Sequence, residues 1–394
     1  MKIINILHHS LSPYNKEADP LFYEDAWHIG VAKGVKKYTN QYDLECWRPE
    51  RNLKKEQTRT EDGITHRIFP SNYFLKFENS PLLLNRLKAS YDEEIIVHLH
   101  GIVYPFSYMI LSALNKEIPI IGQSHEASST LSNAIFKKKV PNRLKTLGKP
   151  IISLERLFQK KMLSKIDYFF CLNEEEKTAF SKFGKSIIQP MGVDFERFKP
   201  IKKEEALKIT GLDNLRYIIY VGRLDKRKGL EYLLKSFKKI LEKYDRKLIL
   251  AGEGPFKKKL ISLSKNLEIY DKLIFLGHTK NSKLPYYYNI SDVTIFPSTI
   301  EAYSIVPIES LACKTPIITT NVGAIPEITK KFKTGSIIIP HNNIDATFKA
   351  FDTINSNINN IKIDRKNGEK FYDWKSIIKN TVNIYEELYK KYYE

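Results

Sequence analysis

Short runs of β-branched and other apolar residues recur along the chain, and segments of helical periodicity separate them. Strands that alternate with helices assemble into parallel sheets through right-handed crossovers. The series runs twice, which indicates an α/β protein with two parallel sheets and helices on both faces of each. The predicted strands are Ile3–Leu7, Ile95–Leu99, Ile118–Ile121, Tyr168–Leu172, Tyr217–Val221, Lys247–Ala251, Leu273–Leu276, Val293–Phe296 and Ile317–Thr319.

A break in the pattern separates the two series. Pro190, Gly192 and Pro200 punctuate the chain there, and a charged segment follows them, which is typical of a linker. We therefore predict an N-terminal domain over residues 1–195 and a C-terminal domain over residues 196–370. A chain of 394 residues is long enough for each domain to bury its own core.

The last segment, residues 371–394, has apolar residues at helical spacing, including Ile377, Val382 and Leu388. This spacing predicts a terminal helix. The helix is expected to cap one of the two domains, and packing back on the N-terminal domain is one arrangement.

The three cysteines, Cys46, Cys171 and Cys313, lie far apart, with neither metal-ligand spacing nor the even number of a disulfide framework. The apolar run Ile3–Leu7 is too short for a signal peptide or a spanning helix. We therefore expect a cytoplasmic protein, with the inner face of the membrane as a further possible location.

The formal net charge is +19, an excess that favours contact with nucleic acid, anionic lipid or phosphorylated substrates. Cations concentrate between Lys137 and Lys165, where apolar residues are interleaved with them. This pattern suits a basic amphipathic helix on an anionic membrane. The alternative is a solvated helical face over the protein's own core.

A loop rich in glycine and cations follows the predicted strand that ends at Val221. It runs from Gly222 to Gly229 and places Arg223 and Lys228 five positions apart. Glycine lets a backbone approach a ligand closely, and two cations can converge on one anion. A diphosphate is the natural ligand, whereas taken alone the segment also fits a charged surface turn.

Two neighbouring strands end in loops of similar character. Lys247–Ala251 runs into Gly252, Glu253 and Gly254, and Val293–Phe296 leads to Glu301. In open parallel sheets, ligands bind outside the carboxyl ends of the strands. We therefore expect all three loops to address one crevice.

Glu301 and Glu309 are separated by seven residues, so that one carboxylate follows a strand and the other lies in the next helix. This spacing can place one carboxylate on sugar hydroxyls and the other on a ribose, with the helix N-terminus near a phosphate. Two unrelated glutamates at this interval are the alternative, because the spacing also arises by chance.

Taken in order, four motifs resemble those of the family 4 glycosyltransferases of GT-B fold. The resemblance covers Tyr217 to about Ile339 and implies two Rossmann-like domains that face each other across a cleft. The motifs are Gly222-Arg223 with Lys228-Gly229, Ala251 to Pro255, Glu301 with Glu309, and Thr319 to Glu327.

The resemblance also implies roles for particular residues. Arg223 and Lys228 neutralise the departing diphosphate, Glu309 holds the nucleotide ribose, and Glu301 contacts hydroxyls of the donor sugar. Where the family has an aromatic or apolar residue followed by glycine, this chain has Tyr303-Ser304. The further residues expected to bind the donor are Gly222, Gly252, Gly254, Tyr303, Ser304 and Ile305.

The N-terminal half carries weaker similarity. His125 corresponds to a family histidine that faces the donor sugar, so it is expected to join the catalytic group. His100 is expected to orient the loop that follows its strand, with lining of the cleft as the alternative. The first loop, which includes His9 and Ser10, lacks the family's glycine pair and leaves acceptor contacts undefined.

The family transfers sugars with retention of anomeric configuration, with a donor phosphate oxygen helping to deprotonate the acceptor. No Asp-x-Asp triplet is found in the sequence, so we expect Arg223 and Lys228 to replace a metal ion and no cofactor to be required. A UDP-hexose is the favoured donor and GDP-mannose the alternative. The expected acceptor is a glycan or a lipid-linked sugar in cell-surface polysaccharide or glycoconjugate synthesis.

Two other functions remain open from the sequence. One is a nucleotide-sugar epimerase of the same architecture, which needs a diphosphate site but no acceptor. The other is a basic protein that binds membrane or nucleic acid through a glycosyltransferase-like domain without activity. The spacing of Glu301 and Glu309 argues against the first, and the complete set of motifs argues against the second, so nucleic acid is not an expected partner.

Overall fold

The computed structural model describes residues 1–8, 27–74, 77–124, 157–301 and 303–394. The chain divides into two compact units. Unit 1 comprises residues 1–190 and 375–394, and unit 2 comprises residues 191–374. The observed boundary falls before residue 191 because Val193 bridges to Asp373 and its N–H donates to Tyr372 O, which ties the expected linker to unit 2.

The described part of unit 1 contains an eight-stranded sheet with the order β10-β9-β8-β7-β1-β2-β4-β3. All neighbours pair in parallel except β3 and β4. The strands are β1 (Lys2–Leu7), β2 (Asp43–Glu50), β3 (Gln57–Glu61), β4 (Ile64–Pro70), β7 (Ile95–His100), β8 (Ile120–Gln123), β9 (Tyr168–Cys171) and β10 (Lys185–Ile188); β5 (Asn72–Phe74) and β6 (Phe77–Asn79) form a separate hairpin.

Helices of unit 1 cover the sheet and bury its central strands. All six residues of β7 are buried, and the apolar side chains on one of its faces form one core with Phe106, Ile110 and Leu111 of a neighbouring helix. The labelled helices are α1 (Trp27–Tyr38), α2 (Pro81–Lys88), α3 (Pro105–Ala113) and α4 (Glu174–Phe180); residues 157–163 are also helical.

The final helix packs on unit 1, to which residues 375–394 belong. Its buried Tyr385 is hydrogen-bonded to His98 Nδ1 at 2.8 Å, and Tyr393 OH donates to Ile95 O at 2.8 Å. Lys391 Nζ lies 2.8 Å from Asp167 Oδ1. The apolar residues of this helix, which the sequence showed at helical spacing, therefore face the core of unit 1 and form part of it.

Unit 2 contains a six-stranded sheet in the order β13-β12-β11-β14-β15-β16, and every neighbouring pair is parallel. The central strands β11, β12 and β14 are almost entirely buried, as expected for a sheet covered on both faces. The strands are β11 (Tyr217–Val221), β12 (Lys247–Ala251), β13 (Leu273–Gly277), β14 (Ser291–Phe296), β15 (Ile317–Thr320) and β16 (Ser336–Ile339).

The helices of unit 2 follow its strands in regular alternation. The helix Leu230–Leu241 buries Leu233, Leu234, Phe237 and Ile240 on one face, at the spacing that a 3.6-residue period requires. The helices are α5 (Lys203–Thr210), α6 (Leu230–Leu241), α7 (Lys257–Asn266), α8 (Leu284–Ile290), α9 (Val306–Ala312), α10 (Ile325–Lys331), α11 (Ile344–Asn357), α12 (Arg365–Tyr372) and α13 (Trp374–Tyr393).

All nine strands predicted from the sequence are present, with ends that move by up to a few residues. The sequence analysis missed β2, whose buried face includes a buried ion pair, Arg48 Nη1 to Glu50 Oε2 at 2.8 Å. It also missed the edge strand β16, in which Ile338 is exposed. Charged and exposed positions hid these strands because apolar patterning was the signal used.

Within the described ranges, no helix combines the length and the apolar character that crossing a bilayer requires.

Candidate active site

The loops that leave β11 and β12 lie in direct backbone contact. Gly222 and Gly252 have φ angles of +140° and +151°, a region that side chains disfavour. A Cβ on Gly252 would lie 1.9 Å from Gly222 O. The N–H of Leu224 donates to Glu253 O at 2.9 Å, so the two loops run together along the carboxyl edge of the sheet.

Two further glycines allow similar close approaches. A Cβ on Gly254 would lie 2.2 Å from Leu224 O, and one on Gly229 would lie 2.1 Å from Pro297 O. Gly229 therefore joins the first loop to the loop after β14. The structure brings together the three loops that the sequence assigned to one crevice.

Lys228 and Glu301 meet across this junction. Lys228 Nζ lies 2.5 Å from Glu301 Oε1, and both side chains are largely buried. Ser298 donates its hydroxyl to the same carboxylate oxygen at 2.7 Å. A cation and a carboxylate from separate motifs thus form one ion pair at the end of β14.

Arg223 lies on the same loop but reaches further into solvent. Its side chain is 51% exposed, and its Nε lies 3.9 Å from Asp225 Oδ2. Asp225 Oδ1 accepts the N–H of Arg227 at 2.8 Å and so begins the short 3-10 turn Lys226–Lys228. That turn carries Lys228 towards the sheet and leaves Arg223 on the outer side.

Two aromatic side chains, Tyr220 and Phe296, pack beside the ion pair of Lys228 and Glu301. The ring of Tyr220 stacks on Phe296 with centroids 6.1 Å apart, and Lys228 Nζ lies 5.6 Å from the centre of the Phe296 ring. Burial, followed by the charges of Glu301 and Asp225, holds the pKa of Tyr220 well above its usual value. The phenol therefore stays protonated and donates to Arg223 O at 2.9 Å.

Glu309 occupies a different environment from Glu301. It lies on α9, is 2% exposed, and accepts a hydrogen bond at 2.8 Å from the hydroxyl of Tyr288. Asn281 Nδ2 lies 3.4 Å from its other oxygen. Burial raises the pKa of Glu309 to about 7, and the hydrogen bonds from Tyr288 and Asn281 oppose this rise.

The described residues between the two glutamates make contacts within unit 2. Tyr303 is buried and donates its hydroxyl to Met191 O at 3.1 Å, so its side chain anchors the loop. Ser304 Oγ accepts the N–H of Val306 at 3.4 Å at the start of α9. Ile305 O accepts the N–H of Glu309 at 2.9 Å, which makes Ile305 the residue from which the helix proceeds.

Some residues named in the sequence analysis cannot be placed relative to this site. His125, His9, Ser10 and residues 137–156 of the basic segment are outside the described residues. His100 is fully buried, and its Nε2 donates to Asn5 Oδ1 of β1 at 3.2 Å.

Lys165, at the end of the basic segment, is engaged within unit 1. Its Nζ donates to Leu111 O at 2.8 Å and to Leu114 O at 2.7 Å, where the carbonyls at the end of α3 need partners. Burial, with the nearby charges of Lys161 and Lys116, lowers its pKa. The structure therefore corrects the inclusion of Lys165 in a membrane-facing set, because its ammonium caps a helix.

Sequence reasoning missed Ser298, Tyr288 and Asn281, which contact the two glutamates. Ser298 lies two residues after β14 ends at Phe296, so its position offered a signal. Tyr288 and Asn281 lie between β13 and β14, and no spacing marked them. Among the described residues, no group of three or more histidine, cysteine, aspartate or glutamate side chains is arranged to hold a metal ion.

The three loops of the site lie within a part of the sequence that matches a known protein family. Residues 202–370 match the glycosyl transferases group 1 family. An uncharacterized glycosyltransferase of Methanocaldococcus jannaschii is 34% identical over 180 residues, which are 44% of this chain and 45% of that protein. Alpha-monoglucosyldiacylglycerol synthase of Streptococcus pneumoniae is 29% identical over 176 residues, 42% of this chain and 40% of the synthase. The match thus spans less than half the length of either curated relative.

Solved structures resemble the chain over nearly its whole length. Sucrose-phosphate synthase from Thermosynechococcus elongatus has a TM-score of 0.73 at 16% identity and covers 99% of this chain and 100% of its own. Anabaena HepE, solved in complex with UDP, has a TM-score of 0.70 at 13% identity and covers 98% of this chain and 100% of its own. The GT-B fold class expected from the sequence is confirmed.

The glycine contact predicts a large effect of one methyl group. Gly252→Ala should lower the free energy of unfolding by several kcal/mol for two reasons. The new Cβ would collide with Gly222 O, and alanine disfavours the φ angle of this position. Gly211→Ala is the matched control: its φ is +69°, but no atom lies within 4 Å, so it should cost only about 1–2 kcal/mol. Urea denaturation compares the two, and equal losses would contradict the importance of the contact.

Proposed function

We propose that the protein is a retaining, family 4-type glycosyltransferase that transfers a hexose from a nucleoside diphosphate sugar. The observation that carries the proposal is the ion pair of Lys228 and Glu301 at the carboxyl edge of the unit 2 sheet. It places a cation suited to phosphate beside a carboxylate suited to sugar hydroxyls. Open parallel sheets bind their ligands at this edge.

The donor's charges fit the two cations of the first loop. On donor binding, Lys228 exchanges its contact with Glu301 for the diphosphate, and Glu301 accepts hydrogen bonds from the sugar instead. Arg223, whose side chain is half exposed, reaches the diphosphate from the outer side. Both cations then stabilise the charge that grows on the leaving phosphate, where fixed charges act most strongly.

The proposed reaction proceeds by front-face displacement. The acceptor hydroxyl attacks the anomeric carbon as the bond to the diphosphate breaks, and its proton passes to an oxygen of the departing phosphate. The products are the glycoside and the nucleoside diphosphate. This route needs no protein nucleophile, and the cations take the place of a metal ion, so neither a metal nor another cofactor is part of the proposal.

A UDP-hexose is the donor that we propose. Glu309 accepts the ribose hydroxyls from its buried position on α9. Support for uridine comes from the structural similarity to Anabaena HepE, whose structure was solved with UDP. We further propose a glycan or lipid-linked acceptor, a class that the name of the Streptococcus pneumoniae relative, a diacylglycerol glucoside synthase, supports.

Loss of either cation should cripple transfer while leaving the fold intact. Arg223→Ala and Lys228→Ala should each lower kcat about a hundredfold to a thousandfold, because a fixed donor to the leaving group is removed. The measurement is UDP release from UDP-glucose, UDP-galactose and UDP-N-acetylglucosamine with glycoside or diacylglycerol acceptors. Lys226→Ala removes an equal charge from an exposed position of the same loop and should retain activity. Near-normal turnover of both site variants would refute the assignment.

UDP alone should stabilise the protein without a metal ion. At a hundred times its dissociation constant, a ligand adds about 2.7 kcal/mol to the free energy of unfolding. We expect the largest thermal shift from UDP in a panel with GDP, ADP and TDP, and the same shift in EDTA. A larger shift from GDP would favour GDP-mannose as the donor. Loss of the shift in EDTA and its return with magnesium would overturn the metal-independent mechanism.

Peripheral contact with an anionic membrane is a further part of the proposal. Leu157 and Phe158 are 60% and 46% exposed, and Lys160 and Lys161 follow them on the same helical segment. Apolar side chains beside cations favour binding to the surface of anionic lipid. We propose the inner face of the membrane as the location of this contact.

Vesicle binding tests the membrane contact. The double variant Leu157→Ser with Phe158→Ser should lose most binding to vesicles of phosphatidylglycerol at low salt, because the inserted apolar surface is removed. Leu82→Ser, at a 42% exposed position of α2, is the control and should bind normally. Sedimentation with vesicles measures both. Failure of the unaltered protein to bind would remove the membrane from the proposal.

A further inference from the structure

Glu309 is surrounded by hydrogen-bond donors that belong to other elements. Tyr288, from α8, donates its hydroxyl to Oε2 at 2.8 Å, and this contact is fully buried. Asn281, from the segment before α8, places Nδ2 3.4 Å from Oε1. Each carboxylate oxygen therefore has a neutral donor, and the closer of the two is Tyr288.

The support of Glu309 is itself held in place. Arg197 Nη1 donates to Asn281 Oδ1 at 2.8 Å, which turns the amide nitrogen of Asn281 towards the carboxylate. Tyr288 packs edge-on against Phe198 at 6.2 Å, and its carbonyl accepts from Thr315 Oγ1 at 2.8 Å. The orientation of the phenol is thus fixed by its ring and its backbone.

Titratable and charged groups around Glu309 come from three further places. Cys313 lies one turn away on the same chain segment, and burial together with the charge of Glu309 raises the pKa of its thiol. Arg365, from α12, donates to Ala312 O at 3.0 Å, at the end of α9. Arg197 acts through Asn281. Compared with these groups, the Tyr288 hydroxyl lies closest to the carboxylate, at 2.8 Å.

We propose that Tyr288 is a positioning residue for nucleotide binding: its hydroxyl holds the Glu309 carboxylate in the ionised state and in the orientation that accept the ribose hydroxyls. This inference rests on the proposed function, because it gives Glu309 the ribose as its partner. Tyr288 itself touches no substrate in this scheme.

The electrostatics of the pair support the proposal. Burial alone disfavours the charged carboxylate, and it raises the pKa of Glu309 to about 7 against the opposing effect of the Tyr288 and Asn281 hydrogen bonds. Tyr288 cannot share the charge, since burial and the neighbouring Glu309 hold its own pKa well above the usual value. Loss of the hydroxyl therefore leaves burial less opposed and raises the pKa of Glu309 further.

The test compares Tyr288→Phe with Tyr287→Phe, which removes a hydroxyl from the same helix. UDP dissociation constants are measured from pH 6 to pH 9. We expect Tyr288→Phe to weaken UDP about tenfold more at pH 6 than at pH 9, since one pKa unit is a factor of ten; at pH 9 the carboxylate is ionised in both proteins and only its orientation differs. The titration of UDP itself cancels in the ratio of the two proteins' dissociation constants at each pH. Tyr287→Phe should follow the unaltered protein throughout.

A loss of UDP affinity that is the same at every pH would show that Tyr288 merely supports the fold, and it would overturn the inference. An unchanged profile would overturn it as well. Glu309→Gln provides the second arm: in that background Tyr288→Phe should no longer change the pH dependence, because the titrating partner is gone.

Stability of the free protein supplies a readout that needs no nucleotide. The folded-state pKa of Glu309 lies above its unfolded value, so the folded protein holds the proton longer. The contribution of Glu309 to stability should therefore fall as pH rises from about 4.5 to about 7 and then level off. Tyr288→Phe should extend the fall above pH 7, and Glu309→Gln should remove it.

These readouts separate the inference from the proposed function. An unaltered protein that binds no UDP, yet shows the extended fall in Tyr288→Phe, would contradict nucleotide binding and leave the Tyr288–Glu309 coupling intact. Tight UDP binding with identical profiles for Tyr288→Phe and the unaltered protein would retain the proposed function and refute the role of Tyr288.

Discussion

Direct contact between glycine backbones fixes the geometry of the unit 2 site. Gly252 lies against the carbonyl of Gly222, and Gly254 lies against that of Leu224. Any side chain at these glycines would push the loops apart, because a Cβ cannot occupy the space of a carbonyl oxygen. Parallel strands already direct their carboxyl ends to one edge, and this packing brings the loops from that edge close enough for Lys228 to reach across.

The two glutamates of one motif are stabilised by opposite means. Glu301 is paired with the charge of Lys228, whereas Glu309 is buried among neutral donors and keeps a pKa of about 7. A buried charge needs a partner or a proton, and the chain provides one solution for each carboxylate. The pairing holds Glu301 and Lys228 together at the edge of the sheet where we propose that the donor binds. In the role that we propose, Glu309 depends on the Tyr288 hydroxyl to stay ionised.

Much of the fold could be read from the sequence because apolar periodicity reports burial directly. The strands around Ile219, Ile249 and Ile295 were predicted within a few residues, and so was the final helix. Strands with a buried ion pair, as at Arg48 in β2, escaped because their pattern does not alternate simply. The loops that carry Lys228 and Glu301 were also predicted to lie at one edge, since both follow strand ends. Ser298 was missed although its position was informative.

The sequence by itself determined the fold class, the edge of the sheet where polar loops collect, and the identity of the charged residues there. These properties follow from local patterning and from the parallel arrangement of strands. Only the tertiary structure decided which groups touch: Lys228 with Glu301, Tyr288 with Glu309, and Lys165 with the end of α3. Such contacts join residues far apart in the chain, and they depend on how helices rotate and pack, which no local spacing specifies.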